Sequence, residues 1–206
     1  MSINTEFWNK AARKYAKRPV QDEAAYELTL DRTRSYLHAD DRVLEIGCGT
    51  GTTALKLADA VNQITGTDVA TGMIDIAREK AQGVANVDFS PMAVPGGTPP
   101  EAAPYDVVMA FNLLHLIEDT EAVLAQVHGM LRPGGLFISK TVGLADKGAW
   151  MRVLISAMRL IGKAPYVKYF RIAEIDDHIT RAGFEIIETG NYPASPPNHF
   201  VVARKL

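Results

Sequence analysis

The chain alternates short runs of β-branched and aromatic residues with segments of helical periodicity, and this alternation limits the possible fold more than any other feature. Seven runs have the length and composition of strands. They cover residues 42–46, 63–68, 87–90, 105–111, 136–141, 184–189 and 200–205. Helical patterns such as "TTALKLADAV" and "DTEAVLAQVHGML" separate most of them. Strands connected by helices favour a mostly parallel sheet with helices on both faces.

The two ends of the chain depart from this alternation. Two helical segments, 6–17 and 22–37, precede the first strand, with Pro19 between them. The last two strands are joined only by "GNYPASPPNH". That connection is too short for a helical crossover, so we expect the last two strands to be antiparallel. A chain of 206 residues suits a single domain.

The composition argues against several classes of protein. The net charge is −2 with both signs spread along the chain, so no nucleic-acid partner is expected. Cys48 is the only cysteine, which rules out an internal disulfide and a cysteine-based metal site and fits a reducing cytoplasm. The first residues lack the apolar core of a signal peptide, and no apolar run approaches the roughly 20 residues that span a bilayer. We therefore expect a soluble, cytoplasmic protein with no metal site.

The stretch "VLEIGCGTG", residues 43–51, places three glycines at alternate positions directly after the first strand and before a helix. Such a turn lets the backbone approach a ligand closely and offers the amides of a helix start. Asp68 stands 17 residues after Gly51, at the end of the second strand. An acidic residue there is well placed to accept hydrogen bonds from the two hydroxyls of a ribose. Together these features predict a nucleoside cofactor.

Two cofactors fit such a loop. The dinucleotide fingerprint requires a third glycine where this chain has Thr52, so that match is imperfect. The pattern Glu45-x-Gly47-x-Gly49-x-Gly51 with its downstream acid instead resembles the motif of class I S-adenosylmethionine-dependent methyltransferases. "YDVVMAFNLLHLIED" and "LRPGGLFISKT" are similar to the fourth- and fifth-strand motifs of that family, in order and spacing. The resemblance covers roughly residues 40–206 and favours the small-molecule, type 11 kind of domain.

This resemblance implies an α/β fold, a Rossmann-like seven-stranded sheet of order 3-2-1-4-5-7-6 whose last strand is antiparallel, with helices on both faces. It divides the single domain 1–206 into four parts. Residues 1–39 would form a helical lid and residues 40–141 the cofactor-binding core. Residues 142–183 would form helices that cap the substrate, and residues 184–206 the terminal strand pair.

The resemblance also implies which residues contact S-adenosylmethionine. They are Glu45, Gly47, Cys48, Gly49, Gly51, Asp68, Val69, Met73, Met92, Ala93, Phe111 and Asn112. The first loop would contact the methionine part, with Glu45 beneath it, and Asp68 would bind the ribose. The pairs after the second and third strands would enclose the adenine, and the last pair would hold the amino group through main-chain oxygen. Many members of this family carry an acidic residue where this chain has "SPMAV". Because that acidic side chain is missing here, we expect the backbone alone to contact the adenine amino group.

Methyl transfer is an in-line displacement at a sulfonium, which a dry site with positioned reactants accelerates. Aromatic side chains around a binding site stabilise a cation, and Trp8 and Tyr15 are the candidates for this role, with Tyr15 the better one. Both residues could instead simply pack a helix onto the domain.

His115 follows the fourth strand and is the candidate general base for an acceptor that loses a proton, although it could also cap the turn. His199 reaches the same edge as a weaker candidate, whereas His178 should lie at the opposite edge.

The acceptor is expected to be a small molecule. The segment "GAWMRVLISAMRLIGKAPYVKYF" has an apolar helical face that includes Trp150, with Met151, Met158 and Tyr166 nearby. It could line a cavity for a hydrophobic or lipid-like acceptor, rest on an anionic membrane surface, or simply pack on the sheet. "FNLL" stands where N-P-P-[FY] would suggest methylation of amino nitrogen. A non-catalytic regulatory protein that binds S-adenosylmethionine on the same fold is the alternative function.

Overall fold

The computed structural model describes residues 3–145 and 164–206, and its strands lie close to the predicted positions. The strands are β1 (Arg42–Ile46), β2 (Gln63–Asp68), β3 (Val87–Pro91), β4 (Tyr105–Phe111), β5 (Leu131–Val142), β6 (Phe184–Asn191) and β7 (Asn198–Lys205). The α-helices of the described ranges are α1 (Ile3–Ala16), α2 (Glu23–Arg34), α3 (Thr52–Leu57), α4 (Thr71–Lys80), α5 (Thr120–Met130) and α6 (Ile172–Arg181). Turns of 3-10 helix cover Ala58–Ala60 and Leu114–Leu116.

The largest difference from the predicted strands is the start of β5, at Leu131 instead of residue 136. Leu131 pairs with Tyr105, and after a shift in register Val107 pairs with Leu136. The residues between these two pairings are "RPGG", whose turn-forming character predicts a loop. The strand therefore starts earlier than its apolar run because the tertiary pairing with β4 extends across the irregularity.

The sheet has the order β3-β2-β1-β4-β5-β7-β6, which confirms the predicted Rossmann-like topology. Strands β1 to β5 are parallel, whereas β7 is antiparallel to both β5 and β6. The reversal of strand order lies between β1 and β4, because β2 and β3 extend on one side of β1 and the later strands on the other. In open α/β sheets a ligand crevice forms outside the carboxyl ends of the strands at such a reversal.

The central strands are buried on both faces by two apolar layers. Val108 and Phe137 are fully buried in the layer that contains α5 and α6. Ile64 and Ile138 are fully buried in the layer on the other face, with Leu57 of α3. Burial on both faces explains why these strands are continuous apolar runs without a polar alternation.

The two N-terminal helices bind to different parts of the domain. In α2, Arg32 forms an ion pair with Glu188 of β6, and the Tyr36 hydroxyl just beyond the helix donates a hydrogen bond to the same carboxylate at 2.6 Å. Helix α1 packs on α4 instead, where the Gly72 amide donates a hydrogen bond to the Asn9 side-chain oxygen at 2.8 Å. The first helix therefore lies beside the loop that follows β2.

The amphipathic segment predicted around Trp150, with Met151 and Met158, lies outside the described residues, so the expected cap and the expected membrane contact stay predictions. Tyr166 falls within the second described range and is partly buried. Over residues 3–145 and 164–206, no helix has both the length and the apolar character needed to cross a membrane.

Candidate cofactor and acceptor site

The loop after β1 needs glycine for both conformation and space. Gly47, Gly49 and Gly51 have φ angles of +68°, +55° and +73°, in the left-handed region that side chains disfavour. A Cβ on Gly47 would lie 2.7 Å from the Leu113 side chain, and one on Gly51 would lie 2.5 Å from the Phe89 ring. The loop can therefore bend tightly between β1 and α3 only without side chains at these positions.

Asp68 holds this loop at the end of β2 through hydrogen bonds. Its carboxylate accepts hydrogen bonds from the amide of Gly49 at 3.1 Å and from the amide of Ala70 at 2.8 Å. Burial raises the pKa of Asp68, and the amides that bond it act in the opposite direction. The carboxylate lies at the junction of two backbone turns, where it can also accept hydrogen bonds from ligand hydroxyls.

Glu45 is a buried carboxyl at the end of β1, with a side chain in the wall of the same cavity. Burial raises its pKa to about 8, although a hydrogen bond from the Ala54 amide lowers it. Its Oε2 atom makes no hydrogen bond to the described residues. A buried carboxyl oxygen without a partner costs free energy, so this atom favours a donor or a cation from a ligand.

These groups line a cavity of about 510 Å³ at the carboxyl ends of the strands. Most of the predicted contacts to the cofactor form its wall. They are Glu45, Gly47, Cys48, Gly49, Asp68, Val69, Met73, Met92, Ala93, Phe111 and Asn112. Gly51 is not in the wall, because it packs against Phe89 and starts α3. Burial raises the pKa of the Cys48 thiol, which keeps it protonated and unreactive.

Two aromatic side chains of α1 complete the wall beside the glycine loop. Trp8 and Tyr15 both line the cavity, and their rings meet edge to face with centroids 5.9 Å apart. The Tyr15 ring passes close to Gly49, where an added Cβ would be 3.9 Å from its Cε1 atom. Tyr15 is 45% exposed, and partial burial of the phenol raises its pKa, with a further rise from the nearby carboxyl groups of Asp68 and Glu45. Tyr15 is therefore a neutral phenol at the cavity.

His115 is not brought to the cavity wall. Its Nδ1 atom is buried without a hydrogen-bond partner among the described residues, and burial lowers the pKa of the imidazole to about 4. The ring is therefore neutral near pH 7, and its role as a general base stays a prediction. The main-chain oxygen of His115 accepts a hydrogen bond from the Lys168 amide at 2.7 Å, which holds the turn after β4 in place.

His199 is also outside the wall, although its loop reaches the predicted edge of the sheet. The Asn198 side chain donates a hydrogen bond to the side-chain oxygen of Asn112 at 3.2 Å, so β7 begins beside the end of β4. The His199 ring is buried, with Nε2 at 2.8 Å from Asp176 and Nδ1 at 3.2 Å from Asn191. This ring connects α6 with the last two strands, and a role for His199 as a general base stays a prediction.

Several wall residues are not among the sequence predictions. The turn after β4 contributes Leu113, Leu116 and Ile117 to the cavity, followed by Glu118 and Asp119. In a 3-10 turn, side chains three residues apart project on the same side. The spacing of Leu113 and Leu116 could therefore have predicted that both side chains face the cavity. These residues give one end of the cavity an apolar wall with an acidic rim.

Lys140 is a second residue that the sequence predictions omit. It interrupts the apolar run "LFISKTV" of β5 with a charge, and the side chain is buried. Its Nζ atom donates a hydrogen bond to the Thr29 hydroxyl at 2.8 Å.

Within residues 3–145 and 164–206, no group of three or more His, Cys, Asp or Glu side chains is arranged to hold a metal ion.

Residues 43–135 match a family model described as a methyltransferase domain. The chain is 25% identical over 170 residues to the ubiquinone biosynthesis O-methyltransferase of Idiomarina loihiensis, covering 80% of this chain and 70% of that protein. It is 32% identical over 170 residues to the 27-O-demethylrifamycin SV methyltransferase of Amycolatopsis mediterranei, covering 80% of this chain and 61% of that protein. The relatives are thus themselves methyltransferases.

Solved structures share the fold. An S-adenosylmethionine-dependent methyltransferase from Mesorhizobium loti matches with a TM-score of 0.72 and 19% identity, over 88% of this chain and 98% of that one. Magnesium protoporphyrin IX methyltransferase from Synechocystis with bound S-adenosylhomocysteine matches with a TM-score of 0.71 and 18% identity, over 99% and 96% of the two chains. The domain match, the named relatives and the strand order agree, and together they support a class I S-adenosylmethionine-dependent methyltransferase.

Proposed function

We propose that the protein transfers a methyl group from S-adenosylmethionine to an oxygen atom of a small, largely apolar acceptor. The observation that carries this proposal is a single cavity whose wall combines two kinds of side chain. Glu45 and Asp68 provide carboxyl groups, and Leu113, Leu116 and Ile117 provide an apolar surface. The relatives support oxygen as the accepting atom, because their names refer to a ubiquinone O-methyltransferase and to 27-O-demethylrifamycin SV.

The residues around Asp68 and Glu45 fit S-adenosylmethionine. The Asp68 carboxylate would accept hydrogen bonds from the ribose hydroxyls. Glu45, which burial keeps protonated near pH 7 in the unliganded protein, would ionise when the positive charge of the methionine part lies beside its unpartnered Oε2. Met73 and Met92 are buried apolar side chains beside Asp68, and the Met92 amide donates a hydrogen bond to the Asp68 main-chain oxygen at 2.9 Å. They would enclose the adenine together with Val69 and Ala93.

When bound, the cofactor supplies an electrophilic methyl group on a sulfonium. The chain contributes position and a dry environment, which account for much of the acceleration of such a displacement. Trp8 and Tyr15 present aromatic rings to the cavity and would stabilise a cation there. Leu113 and Ile117 would hold an apolar acceptor and exclude water. We infer that α1 serves as the lid over this cavity.

A hydroxyl acceptor loses a proton during transfer. His115 stays the predicted general base, with an imidazole that burial keeps neutral near pH 7. Because its ring lies outside the wall, the proposal does not depend on it. An acceptor whose hydroxyl is already acidic, such as a phenol, would need less help from a base.

The test is transfer of labelled methyl from S-adenosylmethionine to a panel of phenols, catechols, aliphatic alcohols and lipid vesicles. We expect labelled phenolic products from the wild-type chain and at least tenfold less from Asp68→Ala. Asp88→Ala, at an exposed position of β3, is the matched control and should keep full transfer. Cofactor binding without transfer to any acceptor would contradict the proposal and favour the non-catalytic alternative, which the methyltransferase relatives do not favour.

A further inference from the structure

Asn112, the first residue after β4, has a backbone conformation that residues with side chains rarely adopt. Its φ angle is +54°, and it is the one non-glycine residue with a positive φ in the described part of the chain. Its amide donates a hydrogen bond to the Lys140 main-chain oxygen at 2.7 Å, which fixes the turn at the end of β4. Glycine would adopt this φ without strain, so the conformation alone does not require a side chain here.

Only one side of the Asn112 carboxamide is hydrogen-bonded within the protein. Its Oδ1 atom accepts a hydrogen bond from the Asn198 side chain at 3.2 Å. Its Nδ2 atom donates no hydrogen bond to another residue of 3–145 or 164–206, although a carboxamide nitrogen has two hydrogens to donate. Asn112 is exposed and lines the cavity, so a ligand in the cavity can reach this side chain.

The contact with Asn198 sets the direction of this carboxamide. Asn112 follows β4 and Asn198 begins β7, and both β5 and β7 lie on the side of β4 that faces away from β1. The glycine loop follows β1 and Asp68 ends β2, on the other side of β4. The Asn112 side chain therefore points away from the residues that would bind the methionine part and the ribose.

Asn112 is also the one side-chain amide in its part of the cavity wall. The described wall residues from β4 and the turn after it are Phe111, Asn112, Leu113, Leu116, Ile117, Glu118 and Asp119. The aromatic and aliphatic side chains among them have no polar atom, and carboxylate oxygens accept hydrogen bonds. An oxygen atom of a ligand that lies on this apolar surface therefore finds its side-chain donor at Asn112.

We propose that the Nδ2 group of Asn112 donates a hydrogen bond to a hydroxyl oxygen of the methyl acceptor. The apolar part of the acceptor then packs on Leu113, Leu116 and Ile117, and its hydroxyl lies beside Asn112. The hydrogen bond from Asn198 holds Oδ1 and leaves Nδ2 for the acceptor. The main-chain oxygen of Asn112, which is predicted to hold the cofactor, is a different atom, so one residue can serve both ligands. This inference rests on the proposed function, because it assigns a residue to the acceptor of the same site.

The test compares 2-naphthol with 2-methylnaphthalene, which has the same rings and a methyl group in place of the hydroxyl. Ligand-observed NMR measures both affinities for the full chain saturated with S-adenosylhomocysteine. Asn112→Gly removes the carboxamide, suits the φ angle of +54° and keeps the main-chain oxygen. We expect the ratio of the two affinities to shift at least threefold against 2-naphthol in this variant, as for the loss of one neutral hydrogen bond.

Asn62→Gly is the matched control, because it makes the same substitution at an exposed asparagine directly before β2, at the opposite edge of the sheet. It should leave the ratio unchanged. A third probe, 2-methoxynaphthalene, has an oxygen that only accepts hydrogen bonds, so it should lose affinity in Asn112→Gly as 2-naphthol does. An unchanged ratio in Asn112→Gly overturns the proposal, and so does a loss confined to 2-naphthol, which would mean that Asn112 accepts the hydrogen bond.

A measurement on the wild type covers the case in which Asn112→Gly does not fold. In the NMR spectrum of the isotope-labelled chain, the side-chain amide protons of Asn112 should move further downfield with 2-methoxynaphthalene than with 2-methylnaphthalene. Equal shifts with the two probes overturn the proposal, as does binding of S-adenosylhomocysteine without binding of any probe. Failure of the wild type to bind S-adenosylhomocysteine would instead contradict the proposed function, so the two failures are distinguishable.

Discussion

The Oδ2 atom of Asp68, at the end of β2, accepts a hydrogen bond from the amide of Gly49 at 3.1 Å. This contact joins the acidic residue that the sequence predicts for the ribose to the glycine loop that it predicts for the methionine part. The second Asp68 oxygen bonds the Ala70 amide, so one carboxylate orients both turns. If Asp68 binds the ribose as predicted, this single side chain would couple ribose binding to the conformation of the loop.

Asp68→Asn is expected to weaken S-adenosylmethionine binding by about 10- to 100-fold, because a hydrogen bond to a charged group contributes about 1.5–3 kcal/mol. Calorimetric titration measures the change. Asp88→Asn removes the same charge from an exposed position on the neighbouring strand and should bind like the wild type. An unchanged affinity in Asp68→Asn would contradict its assignment to the cofactor.

Glu45 should make the unliganded protein less stable as pH rises. Its pKa is about 8 in the folded chain against an ordinary 4.5, so the folded state holds a proton that the unfolded state releases above about pH 4.5. The free energy of unfolding therefore falls between about pH 4.5 and about pH 8 and then levels off. The glutamine in Glu45→Gln does not titrate, so the free energy of unfolding of this variant should lack the decrease that Glu45 causes. Above about pH 8 the variant should therefore be a few kcal/mol more stable than the wild type.

Urea unfolding at a series of pH values, without cofactor, measures that difference. Burial also raises the pKa of Asp68, which contributes in the same direction to both proteins. The difference between wild type and Glu45→Gln therefore isolates Glu45. Parallel stability curves for the two proteins would show that the carboxyl is ionised in the folded state and would contradict the prediction.

Gly51→Ala should destabilise the fold more than Gly83→Ala. Both glycines have positive φ angles, +73° and +90°, so both substitutions carry a conformational cost of about 1 kcal/mol or more. A Cβ at Gly83 meets nothing within 4 Å, whereas one at Gly51 lies 2.5 Å from the buried Phe89 ring. We expect a total loss of about 2–4 kcal/mol for Gly51→Ala, measured by denaturant unfolding. Equal losses would mean that Phe89 moves aside without cost.

Asn9→Ala should loosen α1 from the cavity. The Asn9 oxygen accepts a hydrogen bond from the Gly72 amide at 2.8 Å, and its loss leaves the first turn of α4 without this partner, at a cost of about 1 kcal/mol. Hydrogen exchange across α1 should become faster, and S-adenosylmethionine should dissociate a few times faster if α1 is the lid. Lys10→Ala, at an exposed neighbouring position, is the control. Faster exchange with an unchanged dissociation rate would argue against the lid.

The strands, and the proximity of Asp68 to the glycine loop, could be predicted because their signals are local. Apolar runs bounded by turn residues mark β1, β2 and β4 at the bounds that the structure has. The glycine loop and Asp68 follow two of those strands directly, and the ends of parallel strands meet at one edge of a sheet. Their proximity therefore follows from topology, and the family resemblance supplies the strand order.

The apolar part of the cavity depended on tertiary structure, because its side chains are placed by packing that no local pattern indicates. The amide of Lys168 fixes the turn after β4 through the main-chain oxygen of His115, across a long separation in sequence. Within one short turn, Leu113 and Leu116 line the cavity while the His115 ring does not, since the direction of each side chain depends on the packing around it. The sequence by itself thus determined the fold and the methyl donor, whereas only the packing of the turn after β4 on the sheet decided the shape of the apolar part of the cavity.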